Sequence, residues 1–263
     1  GKAVSERLTR IPKPEARGAF AYDAAEDGVH IGNIRWEDDA QGPVKVYKKP
    51  APGRPYVIGA DTAGDGSDWF VGQVLDNVSG EQVAVLRHQY DEDTFSRQMY
   101  CLGKWYNDAM LAPEANFSTY PVKLLDLMGY RNLYVREIED TFDGTIRHAY
   151  GFRTDRLTRP VIISELIRVM REHLETVNDE DTLLEMLTFV RDEKQRAAAE
   201  PGAHDDCVMA LAIAHYVRPQ QTMEVKRTAA AGTSAWTQDM WDDFERAAPQ
   251  EREMLLQKWG TPR

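Results

Sequence analysis

Cysteine is nearly absent: the 263 residues hold two, Cys101 and Cys207, far apart and outside any CxxC spacing. That excludes a disulfide framework and a cysteine-built zinc site, and it suits a reducing compartment. No apolar run approaches the roughly 20 residues of a membrane-spanning helix. The first residues, GKAVSERLTR, lack the apolar segment of a secretory signal, and the Gly1 start suggests a cut or engineered end. The glycines at 59, 64 and 66 are not followed by Lys-Ser/Thr, so no phosphate-cradling Walker loop and no ATPase are encoded here. GxSxG and HExxH are missing as well. Positive charge is also short. The formal charge of −11 excludes a protein that coats nucleic acid by general basicity. The acidity is central: residues 56–218 carry 16 Lys and Arg against 28 Asp and Glu, while residues 1–55 carry 10 against 8 and residues 219–263 carry 6 against 7.

What is present fits one folded domain with flanking segments. Residues 1–55 mix six prolines with charges and read as an arm or linker. From Tyr56 the pattern tightens. Three strands are predicted at Tyr56 to Ala60, Trp69 to Asp76 and Glu81 to Gln89, forming an antiparallel meander. Asp93 or Thr94 caps a helix whose apolar positions Phe95, Met99, Leu102, Tyr106 and Ala109 recur at helical spacing. A short strand follows near MLAPEAN, then a helix between Pro121 and Gly129, then strand-like residues at Asn132 to Ile138. A basic segment, Thr145 to Pro160, carries Arg147, Arg153, Arg156 and Arg159. Ile163 to Val177 trace one helical face, and Cys207 to Val217 read as a helix apolar nearly all round, hence buried. Residues 219–263 form a tail with an amphipathic helix over Trp236 to Trp259.

Acids stand at the ends of three of these elements. Asp61 closes the first core strand, Glu114 follows the fourth, and Asp205 and Asp206 open the apolar helix. Each has a plain explanation alone: Asp61 as a turn residue, Glu114 as a solvated charge, Asp205 and Asp206 as helix caps. Brought to one sheet end they would form a cage for hard divalent cations, whereas without cations such neighbours repel by about 1 to 4 kcal/mol per pair. His204 reads as a residue that assists a cap or orients an acid rather than as a ligand.

Four stretches, ADTAGDGSDW, PEANFSTYPVKLL, YGFRTDRLTRP and GAHDDCVMALAIA, resemble the C-terminal nuclease domain of the large terminase subunit of tailed bacteriophages, over roughly Tyr56 to Val217. The resemblance implies an α/β ribonuclease H-like fold, with a mixed central sheet (antiparallel meander plus parallel strands) flanked by helices. It also implies an endonuclease that cuts double-stranded concatemeric DNA with two Mg²⁺ or Mn²⁺ ions. Asp61, Glu114 and Asp206 would hold the metals, with Asp205 in support, and Asn116 belongs to the second acidic motif. The stretch holding Arg153, Arg156 and Arg159, with Arg147 just before it, would lie against the duplex. The implied partners are a portal, a small terminase subunit and an N-terminal packaging ATPase domain, in the host cytoplasm. The domains expected are an arm over 1–55, the nuclease over 56–218 and a tail over 219–263. Two alternatives stand beside this reading: another ribonuclease H-like nuclease of junction-resolvase type, and a non-catalytic module that docks on a portal or ATPase.

Overall fold

A computed structural model of the chain describes residues 1–62, 68–116, 118–139, 146–191, 197–221 and Arg252. The turn over Gly64 to Ser67 and the helix expected over Trp236 to Trp259 lie outside the described residues. The chain divides into two units, Gly1–Gln221 and Thr222–Arg263.

The segment read as a proline-bearing arm builds three strands: β1 (Ala16–Ala24), β2 (Ile31–Asp38) and β3 (Val44–Val46). They extend the sheet because β3 pairs with β6 (Gln82–His88), nearly 40 residues on, a partner that local composition does not reveal. Aromatic packing fastens the extension. Trp36 of β2 stacks on Trp105 with centroids 5.4 Å apart, and Phe20 of β1 meets both rings edge-on. The Gln98 side chain both accepts from Phe20 N and donates to Phe20 O.

The expected meander is present as β4 (Tyr56–Asp61), β5 (Phe70–Asp76) and β6, and β7 (Met110–Pro113) joins β4 in parallel. The seven strands lie in the order β2-β1-β3-β6-β5-β4-β7. Period-2 alternation gives the sheet two buried faces. On one, Tyr56, Ile58 and Ala60 pack beneath α2 (Glu92–Trp105), whose Phe95, Met99 and Leu102 point inward as their spacing predicts. The cap of α2 is Asp91, whose side chain accepts from Thr94 N, rather than Asp93 or Thr94. On the other face Val57 and Leu75 meet α4 (Thr158–His173) and α6 (Asp206–Val217). A first helix, α1 (Lys2–Leu8), adds Val4 and Leu8 to the edge of that core, and α3 (Tyr120–Leu127) packs on α2.

Of residues 132–138, Leu133 makes an isolated parallel bridge to Leu111 of β7, and only from Val135 does a strand form, outside the main sheet. β8 (Val135–Glu139) and β9 (Ile146–Tyr150) pair with each other as a separate ribbon. Two short strands, β10 (Phe189–Arg191) and β11 (Ala197–Ala199), form another, following α5 (Glu180–Thr188).

The apolar helix α6 is buried along ten of its residues, as its composition demands. It lies so close to β4 that a Cβ at Gly59 would come within 2.5 Å of Ala210 O and nearer still to Ala214 N. One buried residue of α6 is polar. His215 is 5% exposed, and neither ring nitrogen finds a partner. Burial first, and then the Arg218 charge, pushes its pKa down to about 3; Glu165 opposes this and Arg168 adds to it. The unfolded chain binds a proton at His215 near pH 6.5 and the folded chain does not, so this stability is whole above pH 6.5 and is lost as pH falls toward 3. His215→Leu should therefore become more stable than wild type by about 1.4 kcal/mol for each unit of acidification below pH 6.5. Urea unfolding of both proteins between pH 7 and pH 4 measures the gap, and parallel curves would refute it.

Candidate active site

Alternation decides where the acids go. In β4, Asp61 follows Val57 and Gly59 onto the face that α6 covers. β7 runs parallel with Pro113 opposite Ala60, and its Met110 and Ala112 share that face, so Glu114, two residues on, lands beside Asp61. Glu114 N donates to Ala60 O at 2.9 Å, which sets the two acids side by side at the ends of adjacent parallel strands. Helix α6 delivers the third acid. Ala210 and Ala214 sit on Gly59, and Asp206 lies one turn before Ala210, a rise of about 5.4 Å against the roughly 6.6 Å from Gly59 to Asp61 along the strand.

The electrostatics match this convergence. The Asp61 carboxyl is raised well above the usual carboxylate range, first by burial, then by its hydrogen bond to Glu114 and the charges of Glu114, Asp206 and Asp205. Asp206 is also raised, by burial before the charges of Asp68 and Asp205, against the lowering effects of the Trp69 N–H and His204. Its Oδ2 accepts from Trp69 N at 3.2 Å and lies 3.5 Å from His204 Nδ1.

Asp205 faces elsewhere. Its Oδ2 accepts from Arg159 at 2.8 Å, so Arg159 is bound to an acid, while Arg153 and Arg156 stand exposed in the loop before α4. The Arg147 side chain lies outside the described residues. Asn116 ties that loop to the site: its Nδ2 donates to Glu114 Oε1 at 2.9 Å and to Thr154 O at 2.6 Å, and its Oδ1 accepts from Thr154 N. Arg136, on the neighbouring ribbon, has its pKa lowered by burial and then by the charge of Arg153, so the two cations crowd one another.

Neither acid of the pair caps α6 in the way their position suggests. Asp205 occupies the cap position without a capping hydrogen bond from its side chain, and the N–H groups of Cys207 and Val208 donate instead to Glu185 Oε2, from α5. Sequence reading missed Glu185, because its partner lies on another helix and no local spacing marks it. It missed Asp68 too. The ligand atoms of Asp68, His204 and Asp206 lie within 4.8 Å of one another, which gives His204 a place among possible metal ligands. A donor set of carboxylate oxygens with one imidazole suits hard or borderline divalent ions. Asp61 and Glu114 are not members of that group; they stand beside each other at the ends of β4 and β7.

None of the known family models matches the sequence. Solved structures do. The large terminase nuclease from thermophilic phage G20c aligns with a TM-score of 0.53 and 20% identity, covering 81% of this chain and 97% of that one. The same nuclease with bound magnesium gives 0.54 at 20% identity over 81% and 96%, and with bound cobalt 0.54 at 22% over 68% and 89%. The seven-stranded mixed sheet between helices is therefore the ribonuclease H-like fold of the phage large terminase nucleases.

Proposed function

We propose that residues 56–218 carry a metal-dependent endonuclease centre of the terminase kind, which hydrolyses double-stranded DNA. The observation that carries this reading is the parallel register that brings Asp61 and Glu114 to the same end of β4 and β7, together with the Asp68, His204 and Asp206 group whose ligand atoms lie within 4.8 Å of one another. Asp61, Glu114 and Asp206 would hold two Mg²⁺ or Mn²⁺ ions, with Asp61 shared between them and with Asp68 and His204 on the Asp206 side. Bound ions would supply a hydroxide nucleophile and neutralise charge on the scissile phosphate. The chain's own residues do the rest. Trp69 N–H fixes one oxygen of Asp206, Asn116 orients Glu114, and Arg159 holds Asp205 behind the site. The magnesium- and cobalt-bound states of the solved relatives favour this chemistry. A junction resolvase would use the same centre. A docking module whose acids merely cap is disfavoured, because Glu185 does the capping. The portal, small terminase subunit, packaging ATPase and host cytoplasm belong to the same reading.

A plasmid-nicking assay with Mn²⁺ tests it. Wild type should cut, Asp206→Asn should lose at least about 10²-fold in single-turnover rate, and Asp205→Asn should lose less, since Asp205 acts through Arg159. The reverse order would give the ligand role to Asp205, and an inactive wild type would end the nuclease reading.

DNA contact falls to Arg153 and Arg156, exposed beside Asn116 and joined by Arg136, whose buried Nε finds no partner. Exposed guanidinium groups suit a phosphate, with Asp155 the acid that stands between Arg153 and Arg156 in sequence. Arg153→Ala/Arg156→Ala should weaken DNA binding and lower the slope of log affinity against log salt by about 1.8, that is two contacts at about 0.9 each. An unchanged slope in salt titrations would move the DNA track elsewhere.

A further inference from the structure

Helix α6 has to present Asp206 at a fixed depth beside Asp61, yet its own first residues provide no cap. The cap comes from α5. Glu185 Oε2 accepts from Cys207 N at 2.7 Å and Val208 N at 3.3 Å, the two N–H groups that follow Asp206. Helix α5 is itself pinned to the sheet at three strands. Lys45 of β3 donates to Asp179 and Asp181. Gln73 of β5 donates to Thr182 Oγ1. Gln82 of β6 accepts from Asn178 N and Asp179 N. Asp179 closes the set by accepting from Thr182 N. Beside Glu185, Arg87 lies 3.9 Å from its other oxygen and stacks 3.8 Å over the ring of Trp69, whose N–H binds Asp206.

We propose that Glu185 is a positioning residue for the metal centre: it transmits the rigidity of the sheet through α5 to the N-terminus of α6 and so sets where Asp206 stands. It touches neither substrate nor ion. The proposal rests on the nuclease reading only in taking Asp206 as a metal ligand. A carboxylate that accepts two backbone N–H groups from one helix end does locally what a cap does, but here it comes from a separate element. Its loss moves the acid as well as loosening the helix. Residues that orient metal ligands from behind are commonly worth 10- to 100-fold in affinity.

Mn²⁺ titration by calorimetry, well below the unfolding temperature and on protein shown to be folded by circular dichroism, is the test. Glu185→Ala should bind Mn²⁺ about 10- to 100-fold more weakly. Glu185→Gln, which keeps an acceptor oxygen at the same reach, should stay within about threefold, and Glu185→Asp, one methylene shorter, should not recover. In an Asp206→Asn background Glu185→Ala should cost nothing further. Unchanged Mn²⁺ affinity in Glu185→Ala, with only a lower melting temperature, would make Glu185 a helix cap and nothing more. If the alanine variant fails to fold, Glu185→Asp with wild-type affinity overturns the proposal equally. A wild-type chain that binds no Mn²⁺ would sink the metal reading of the site, whereas wild-type binding that Glu185 does not influence sinks this proposal alone.

Discussion

Asp61→Asn should abolish cleavage while leaving the protein folded and somewhat more stable. The wild-type carboxyl is half-buried beside Glu114, and desolvation first, then Glu114 and the charges of Asp206 and Asp205, raises its proton affinity. An amide keeps the shape and removes one of the converging charges, so in the absence of metal the fold is relieved of about 1 kcal/mol or more of repulsion. In the proposed centre the same change would also remove a charged oxygen ligand from the metal. The loss in rate should reach about 10³-fold or more, beyond the 10- to 100-fold typical of residues that only orient ligands. Thermal melting in chelator and in Mn²⁺ separates the two effects. Wild type should gain stability on adding Mn²⁺ and the variant should gain little. Retained cleavage by a folded Asp61→Asn protein would remove Asp61 from the mechanism, and a clear loss of stability in chelator would refute the repulsion account.

Gly59→Ala should be among the most damaging single changes in the chain, though it adds only one methyl group. The new Cβ would meet Ala210 O and Ala214 N, which are backbone atoms of α6 and cannot rotate away. Either α6 lifts off β4 or the strand bends. Overpacking of this kind costs about 3 kcal/mol or more when the obstacle is backbone. Lifting α6 also withdraws Asp206 from Asp61, so activity should fall in the fraction that remains folded. Urea denaturation gives the stability change. A cost below about 0.5 kcal/mol would mean that the two elements have slack, and that the depth of the site is set elsewhere.

Much of this was legible in the chain. Tyr56 to Ala60 reads as a strand because a short apolar run with β-branched Val57 and Ile58 ends at an acid and a glycine-bearing segment. The helical spacing of Phe95, Met99 and Leu102 predicts the face that α2 buries, and the near-absence of polar residues over Cys207 to Val217 predicts that α6 is enclosed. These patterns are local, so a single stretch declares them. The arm is the counter-example. Residues 16–46 look like a proline-bearing linker because β3 is three residues long and its partner, β6, is distant in sequence; only the finished sheet shows the pairing. Arg159 was grouped with the DNA-facing arginines on proximity in sequence, but its guanidinium is bound to Asp205.

By itself, then, the order of residues determined which chemical groups stand at the ends of which elements: an acid closing β4, an acid after β7, a pair of acids opening α6. Periods of two and of 3.6 decide that much within a few residues. Tertiary structure decided what those groups do to one another. The parallel register of β4 and β7 put Asp61 against Glu114. The bare Cα of Gly59 let α6 come close enough to add Asp206. A carboxylate from α5 took over the capping that Asp205 and Asp206 would otherwise perform. Those outcomes depend on distances between segments far apart in the chain, and such distances are settled by packing and by the satisfaction of buried polar groups, which no local pattern encodes.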